Sequence, residues 1–111
     1  HFGMSNGCVV TAYDSIAIGN HVMLGPNVLI YDQDHDYTKI GGVSAMKFKT
    51  SPITIGSNVW IGANTLILRG TQIGDNCVVA GGAVIRGSYP ANTVIIQKRK
   101  TEVIYQHGET S

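Results

Sequence analysis

Residues Ile53 to Tyr89 read ITIGSNVWIGANTLILRGTQIGDNCVVAGGAVIRGSY. Every sixth residue from Ile55 is aliphatic: Ile55, Ile61, Ile67, Ile73, Val79 and Ile85. Every sixth from Ile53 gives Ile53, Val59, Thr65, Thr71, Cys77, Ala83 and Tyr89, mostly small or β-branched. Glycine follows the aliphatic in Ile55-Gly56, Ile61-Gly62 and Ile73-Gly74. Neither an α-helix nor a single strand repeats every six residues. Short strands wound into a coil do, because each turn must present the same inward residue and the same corner residue. The stretch predicts an all-β chain, a parallel β-helix of hexapeptide repeats.

The ladder extends upstream. Met4, Val10, Ile16, Val22 and Val28 form one register; Ile18, Leu24 and Ile30 form the other, weakening to Ala12 and Asn6. Coils are expected over about 3–30 and 53–96, within a single domain of 1–111. Between them, residues 31–52 (YDQDHDYTKIGGVSAMKFKTSP) break the period with three Asp, a His and a Gly-Gly pair. A break this long inside a compact repeat is usually functional. After Tyr89-Pro90 a last partial rung runs to Ile96, and the tail 97–111 is expected to cap the open end. At about 18 residues per turn the chain holds roughly four to five coils, slight for a monomer, so self-association is expected.

The bulk properties exclude several classes. The formal charge of the 111 residues is +1, which leaves no electrostatic footprint for nucleic acid. No apolar run reaches membrane-spanning length, and no export signal is visible, so a cytoplasmic protein is expected. Cys8 and Cys77 are the two cysteines; Cys77 falls in the inward register as core filler, consistent with a reducing compartment.

IAIGNHVMLGPNVLIYDQDHDY followed by SPITIGSNVWIGANTLILRGTQIGDNCVVAGGAVI resembles the hexapeptide acyltransferases, and among them the bacterial O-acetyltransferases of capsular and lipopolysaccharide sugars. The likeness runs from Gly3 to about Lys100, and the IYDxDH segment with VWIG is its more specific part. The resemblance implies a left-handed β-helix, acetyl-CoA as co-substrate, a sugar hydroxyl as acceptor, no metal, and a homotrimer with its sites between subunits. Many members end in a GNPAK-like turn after the last coil; here the chain reads Val94-Ile95-Ile96-Gln97-Lys98-Arg99-Lys100.

On that resemblance His35 is the candidate general base. Transfer from a thioester to a hydroxyl needs a group that takes the hydroxyl proton and returns one to the leaving thiolate, and imidazole suits both steps. Asp34 is the candidate for fixing its tautomer. A calcium loop starting at Asp32 fails, since Tyr37 stands where Gly is needed and Val43 where Glu is needed. Trp60, the lone tryptophan, precedes the inward Ile61 and so faces outward; in similar enzymes it lies by the thioester sulfur. Ala63, Ala80, Gly81 and Gly82 would let pantetheine lie close to the backbone. Lys98 and Arg99 would meet coenzyme A phosphates, and Asn27 and Tyr31 would line the approach to the loop. An amine acceptor, as in N-acetylation of an amino sugar or antibiotic, and a non-catalytic scaffold are the two other readings of the same fold.

Overall fold

The structure, a computed structural model, describes residues 2–35 and 48–98, with backbone alone at Phe2, Asp34, His35 and Phe48. The described chain is all strand and turn. The first coil carries β1 (Phe2–Met4), β2 (Val9–Thr11) and β3 (Ile16–Ile18). The second carries β4 (Val22–Leu24), β5 (Leu29–Tyr31) and β8 (Ile53–Ile55), with β6 (Gln33–His35) and β7 (Phe48–Thr50) set between the last two. The third has β9 (Trp60–Ile61), β10 (Leu66–Ile67) and β11 (Gln72–Ile73), and the fourth β12 (Val78–Val79), β13 (Val84–Ile85) and β14 (Ser88–Tyr89). Strand β15 (Val94–Ile95) opens a fifth.

Matching strands of successive coils pair in parallel, giving a three-faced prism. Sheet A runs β1-β4-β9-β12-β15, sheet B β2-β5-β10-β13, and sheet C β3-β8-β11-β14. Both six-residue registers point inward: Ile53, Val59, Cys77 and Ala83 are buried with Ile55, Ile61, Ile67, Ile73, Val79 and Ile85. Thr65 and Thr71 are buried too, and their hydroxyls donate to the Gly62 and Leu68 carbonyls at 2.8 and 2.6 Å. A buried hydroxyl without such a bond would cost more than its methyl returns.

Two of the three corners never vary. From sheet A to sheet B each coil takes six residues (Met4 to Val10, Leu24 to Ile30, Ile61 to Ile67, Val79 to Ile85), and from C to A again six (Ile18 to Leu24, Ile55 to Ile61, Ile73 to Val79, Tyr89 to Ile95). Their turns are built on left-handed residues, Asn27, Asn64 and Gly82 at one corner and His21, Asn58, Asn76 and Asn92 at the other. Asn58, Asn76 and Asn92 also form a side-chain amide ladder at 3.2 and 3.1 Å. Gly62 shows why these corners are locked: a Cβ there would stand 2.5 Å from the Gly81 nitrogen one coil along.

The corner from sheet B to sheet C takes up all the irregularity. Coil three has the regular six residues there (Ile67 to Ile73), coil one two more (Val10 to Ile18), and coil four two fewer (Ile85 to Tyr89). This corrects the expected registers at both ends. Met4 and Val10 stand in the columns of Leu24 and Ile30, not those of Val22 and Val28. Tyr89 stacks on Ile73, outside the Cys77–Ala83 register.

Coil two inserts its long segment at the same corner. The segment leaves as a β-hairpin stem, Gln33 opposite Thr50, Asp34 opposite Lys49 and His35 opposite Phe48. At its root Asp32 has no exposed surface, and its carboxylate accepts the Tyr13 and Asp14 amides at 2.7 and 2.6 Å. At the far end of the prism, the Gln97 side chain bonds both the N–H and the C=O of Val84 at 2.9 Å. It supplies the edge of β13 with the partners a further strand would have given. The expected cap beyond residue 98 lies outside the described residues.

Two substitutions test the packing by denaturant titration. Ile67→Ala should lose about 2–5 kcal/mol, as for other fully buried aliphatics. Gly62→Ala, a single added methyl, should lose about 1–3 kcal/mol because backbone, not a movable side chain, opposes it.

Candidate active site

Between each pair of inward residues lies one outward residue, and these line up from coil to coil. On sheet A the outward column is Gly3, Met23, Trp60, Val78 and Val94. Trp60 is 52% exposed at its middle, between Met23 at 52% and the half-buried Val78. Sheet B presents Val9, Leu29, Leu66 and Val84, with Val9 and Val84 exposed by 42% and 44%. Sheet C presents Ala17, Thr54, Gln72 and Ser88. The prism therefore has two apolar faces and one largely polar face.

The small residues singled out from the sequence come together at the corner joining the two apolar faces. Ala63 follows β9, and Ala80, Gly81 and Gly82 follow β12 directly above it. The Gly82 N–H donates to Ala63 O at 2.8 Å and the Ala80 N–H to Ile95 O at 2.9 Å. These two amides are spent on coil stacking, so a ligand chain lying here would find room rather than their N–H groups. A Cβ on Gly81 would meet Ala63 O at 3.0 Å, so its lack of a side chain serves the stacking as well. Lys98 is exposed and follows β15 past the same corner. Arg99 lies outside the described residues. Asn27 is the corner residue of coil two, left-handed, its amide set over Gly7.

The hairpin is rooted at the opposite edge of sheet B. Tyr31 is half-buried where β5 ends, next to the root. Tyr31 and Asn27 thus stand at opposite edges of one face, with Tyr31 alone beside the hairpin. His35 and Asp34 are in β6; their backbone is described, and their side chains, with residues 36–47, lie outside the described residues. Gln33 Oε1 is a buried acceptor with no hydrogen-bond partner among the described residues.

Trp60 and the stem carrying His35 belong to different sides of the prism, one at the centre of face A and the other at the B–C corner. The candidate residues therefore fall into two separate groups. An open cleft of about 480 Å³, lined by Thr54, Gln72, Ser88, Tyr89 and neighbours, lies on polar sheet C and includes neither group. Among the described residues no cluster of His, Cys, Asp or Glu is placed to hold a metal, and no helix is long and apolar enough to cross a membrane.

The burial of Asp32 and the polarity of the three faces were not read from the sequence. The faces were readable: the residue after each first inward position gives Met23, Trp60, Val78 and Val94 in one column. Asp32 had no such signal, since the two extra residues between Val10 and Ile18 only move one apolar column onto the other.

Comparison with known proteins follows the same lines. Residues 52–87 match the model of the bacterial transferase hexapeptide, six repeats. The chain is 39% identical over 107 residues to a galactoside O-acetyltransferase of Lactococcus lactis, covering 85% of this chain and 49% of that protein. A maltose O-acetyltransferase from Clostridium difficile superposes with a TM-score of 0.79 at 38% identity, over 86% of this chain and 51% of the other. A hexapeptide-repeat acetyltransferase from Vibrio cholerae, crystallised with acetyl coenzyme A, superposes at 0.75 and 30% identity, over 86% and 54%. The chain spans about half the length of the curated relatives it matches. From the six-residue ladder, the three parallel sheets and these likenesses, the chain belongs to the hexapeptide-repeat acyltransferases of left-handed parallel β-helix fold, and resembles their bacterial sugar O-acetyltransferases.

Proposed function

We propose that the chain carries an acetyl-CoA-dependent O-acetyltransferase that acts on a sugar hydroxyl, as a cytoplasmic homotrimer with its active sites between neighbouring copies. The separation of the two half-sites carries this reading: Trp60 and the glycine corner border face A, while the His35 stem springs from the far edge of face B. In this reading one copy does not bring its own hairpin round the prism to its own indole. A neighbour does, by laying its face B against this face A.

The surface chemistry supports that contact. Faces A and B are apolar and adjoin at the glycine corner, and face C is largely polar. Exposed apolar columns on two faces of so small a chain mark interfaces. Packing the A face of one copy on the B face of the next is a heterologous contact, which can close into a ring. The hairpin at the outer edge of B then overhangs the neighbour's Trp60. The reduced Cys8 and Cys77 agree with a cytoplasmic setting.

Acetyl-CoA would lie along the small-residue corner, with Lys98, and Arg99 after it, available to its phosphates. His35, its tautomer set by Asp34, takes the acceptor's hydroxyl proton as the oxygen attacks the acetyl carbonyl. Backbone N–H groups bear the oxyanion. As the tetrahedral centre collapses the C–S bond breaks, the indole N–H of Trp60 faces the departing sulfur, and His35 returns the proton to it. Tyr31 and Asn27 are the acceptor-side residues of the proposal.

Thiol release from acetyl-CoA, measured with a panel of sugars, amino sugars and aminoglycoside-like antibiotics, tests the reaction. A sugar-dependent release that falls about 10²–10⁴-fold in His35→Ala is the expected result. Release with amine acceptors alone would turn the reading to N-acetylation. A panel without release, together with no acetyl-CoA binding by calorimetry, would turn it to a scaffold. Val84→Asp tests the assembly: a charge set into face B should give a folded monomer by light scattering, whereas an unchanged assembly would remove face B from the contact.

A further inference from the structure

We propose that Asp32 is a positioning residue for His35, and that the enlarged corner of the first coil exists to hold it. This rests on the reading of His35 given above. The contact itself is direct. The Tyr13 N–H donates to one carboxylate oxygen of Asp32 at 2.7 Å and the Asp14 N–H to the other at 2.6 Å, and Asp32 is fully buried. Stripping a carboxylate of water is costly unless its lone pairs are met, and hydrogen bonds to an ionised acceptor are the short, strong kind. Both donors lie within the corner from Val10 to Ile18, which is two residues longer than the regular one. A corner of the regular length has two residues fewer between Val10 and Ile18 from which to present them.

Further bonds tie the root of the hairpin to the coils on either side. The Asp32 N–H donates to Thr11 O in coil one at 3.4 Å, and the Ser51 N–H closes the root on Asp32 O at 3.0 Å. Ser51 in turn accepts the Gly70 N–H and the Arg69 guanidinium, both from coil three, at 3.3 Å each. From this clamp the described stem runs three residue pairs, ending at His35 opposite Phe48. A two-stranded ribbon is marginal alone, so the direction of this one is set at its root. Asp32 lies three residues before His35 and outside the inward aliphatic columns. Its job is to aim the hairpin, with the prism core supported elsewhere.

The test pairs two variants, Asp32→Asn and Asp14→Pro. The first puts an amide NH2 against a backbone donor; the second deletes one donor from an exposed turn and carries the test should Asp32→Asn fail to fold. Amide hydrogen exchange is followed in the stem, at Gln33–His35 and Phe48–Thr50, and in the core at Ile30 and Ile67. Steady-state kinetics is run beside it. The expected result is stem exchange at least about tenfold faster with core exchange unchanged. With it, kcat should fall about ten- to hundredfold while KM for acetyl-CoA stays within about twofold. Wild-type exchange and kcat in both variants would overturn the proposal. So would core exchange and KM moving together with the stem, since that is the signature of a general buttress. A wild-type chain that transfers no acetyl group, yet whose stem loosens in the variants, would overturn the role of His35 while leaving the anchor in place.

Discussion

Each coil must lie flat on the one before it, and the rest of the molecule follows from that constraint. Backbone amides reach their acceptors one coil along: Met23 N–H to Val59 O at 3.0 Å, Trp60 to Cys77 at 3.0 Å, Val78 to Thr93 at 3.0 Å. Such bonds survive only if equivalent residues stack, so every coil must spend the same length on each side. At two corners the chain obeys without exception, because left-handed Asn and Gly turns and the close approach of Gly62 to Gly81 allow no other length. The third corner is held less tightly, and there the coils differ. The insertion that carries His35 could be accommodated at this corner without disturbing the six-residue columns.

The same constraint separates stability from chemistry. Inward columns are filled by aliphatics, Cys77 and bonded threonines, so the outward residues between them are free to differ from face to face. Sheets A and B have become apolar and sheet C largely polar, which is a division of labour among faces rather than along the sequence. Trp60 sits in the middle of one apolar face, and the small-residue corner borders it. The hairpin lies an entire face away. On the proposed reading, candidate groups on different sides of the prism make assembly part of function, since a heterologous contact between two unlike faces can close into a ring.

The repeat was legible because inward residues recur at a spacing no other backbone uses. The same property hid the irregular corners. Inward positions come in pairs two residues apart, and both columns are apolar, so a slip of two residues moves one column onto the other without spoiling the pattern. Met4 and Val10 fit either column by hydrophobicity, and Tyr89 was misassigned for the same reason. Trp60 was read correctly as outward, since its neighbour Ile61 fixes the parity of β9. Asp32 was not read at all as a buried group. It stands in an acidic run with Asp34 and Asp36, and local sequence does not tell that its partners are backbone amides of Tyr13 and Asp14 in another coil.

Subunit complementation asks most directly whether the hairpin of one copy serves the indole of another. His35→Ala and Trp60→Ala chains, each inactive or nearly so alone, are unfolded together, refolded at equal amounts and assayed for acetyl transfer. If the halves come from different copies, random mixing pairs an intact hairpin with an intact indole at roughly a quarter of the contacts, and about that share of wild-type activity returns. If one chain supplies both halves, every site carries a lesion, and the mixture stays as inactive as its parts.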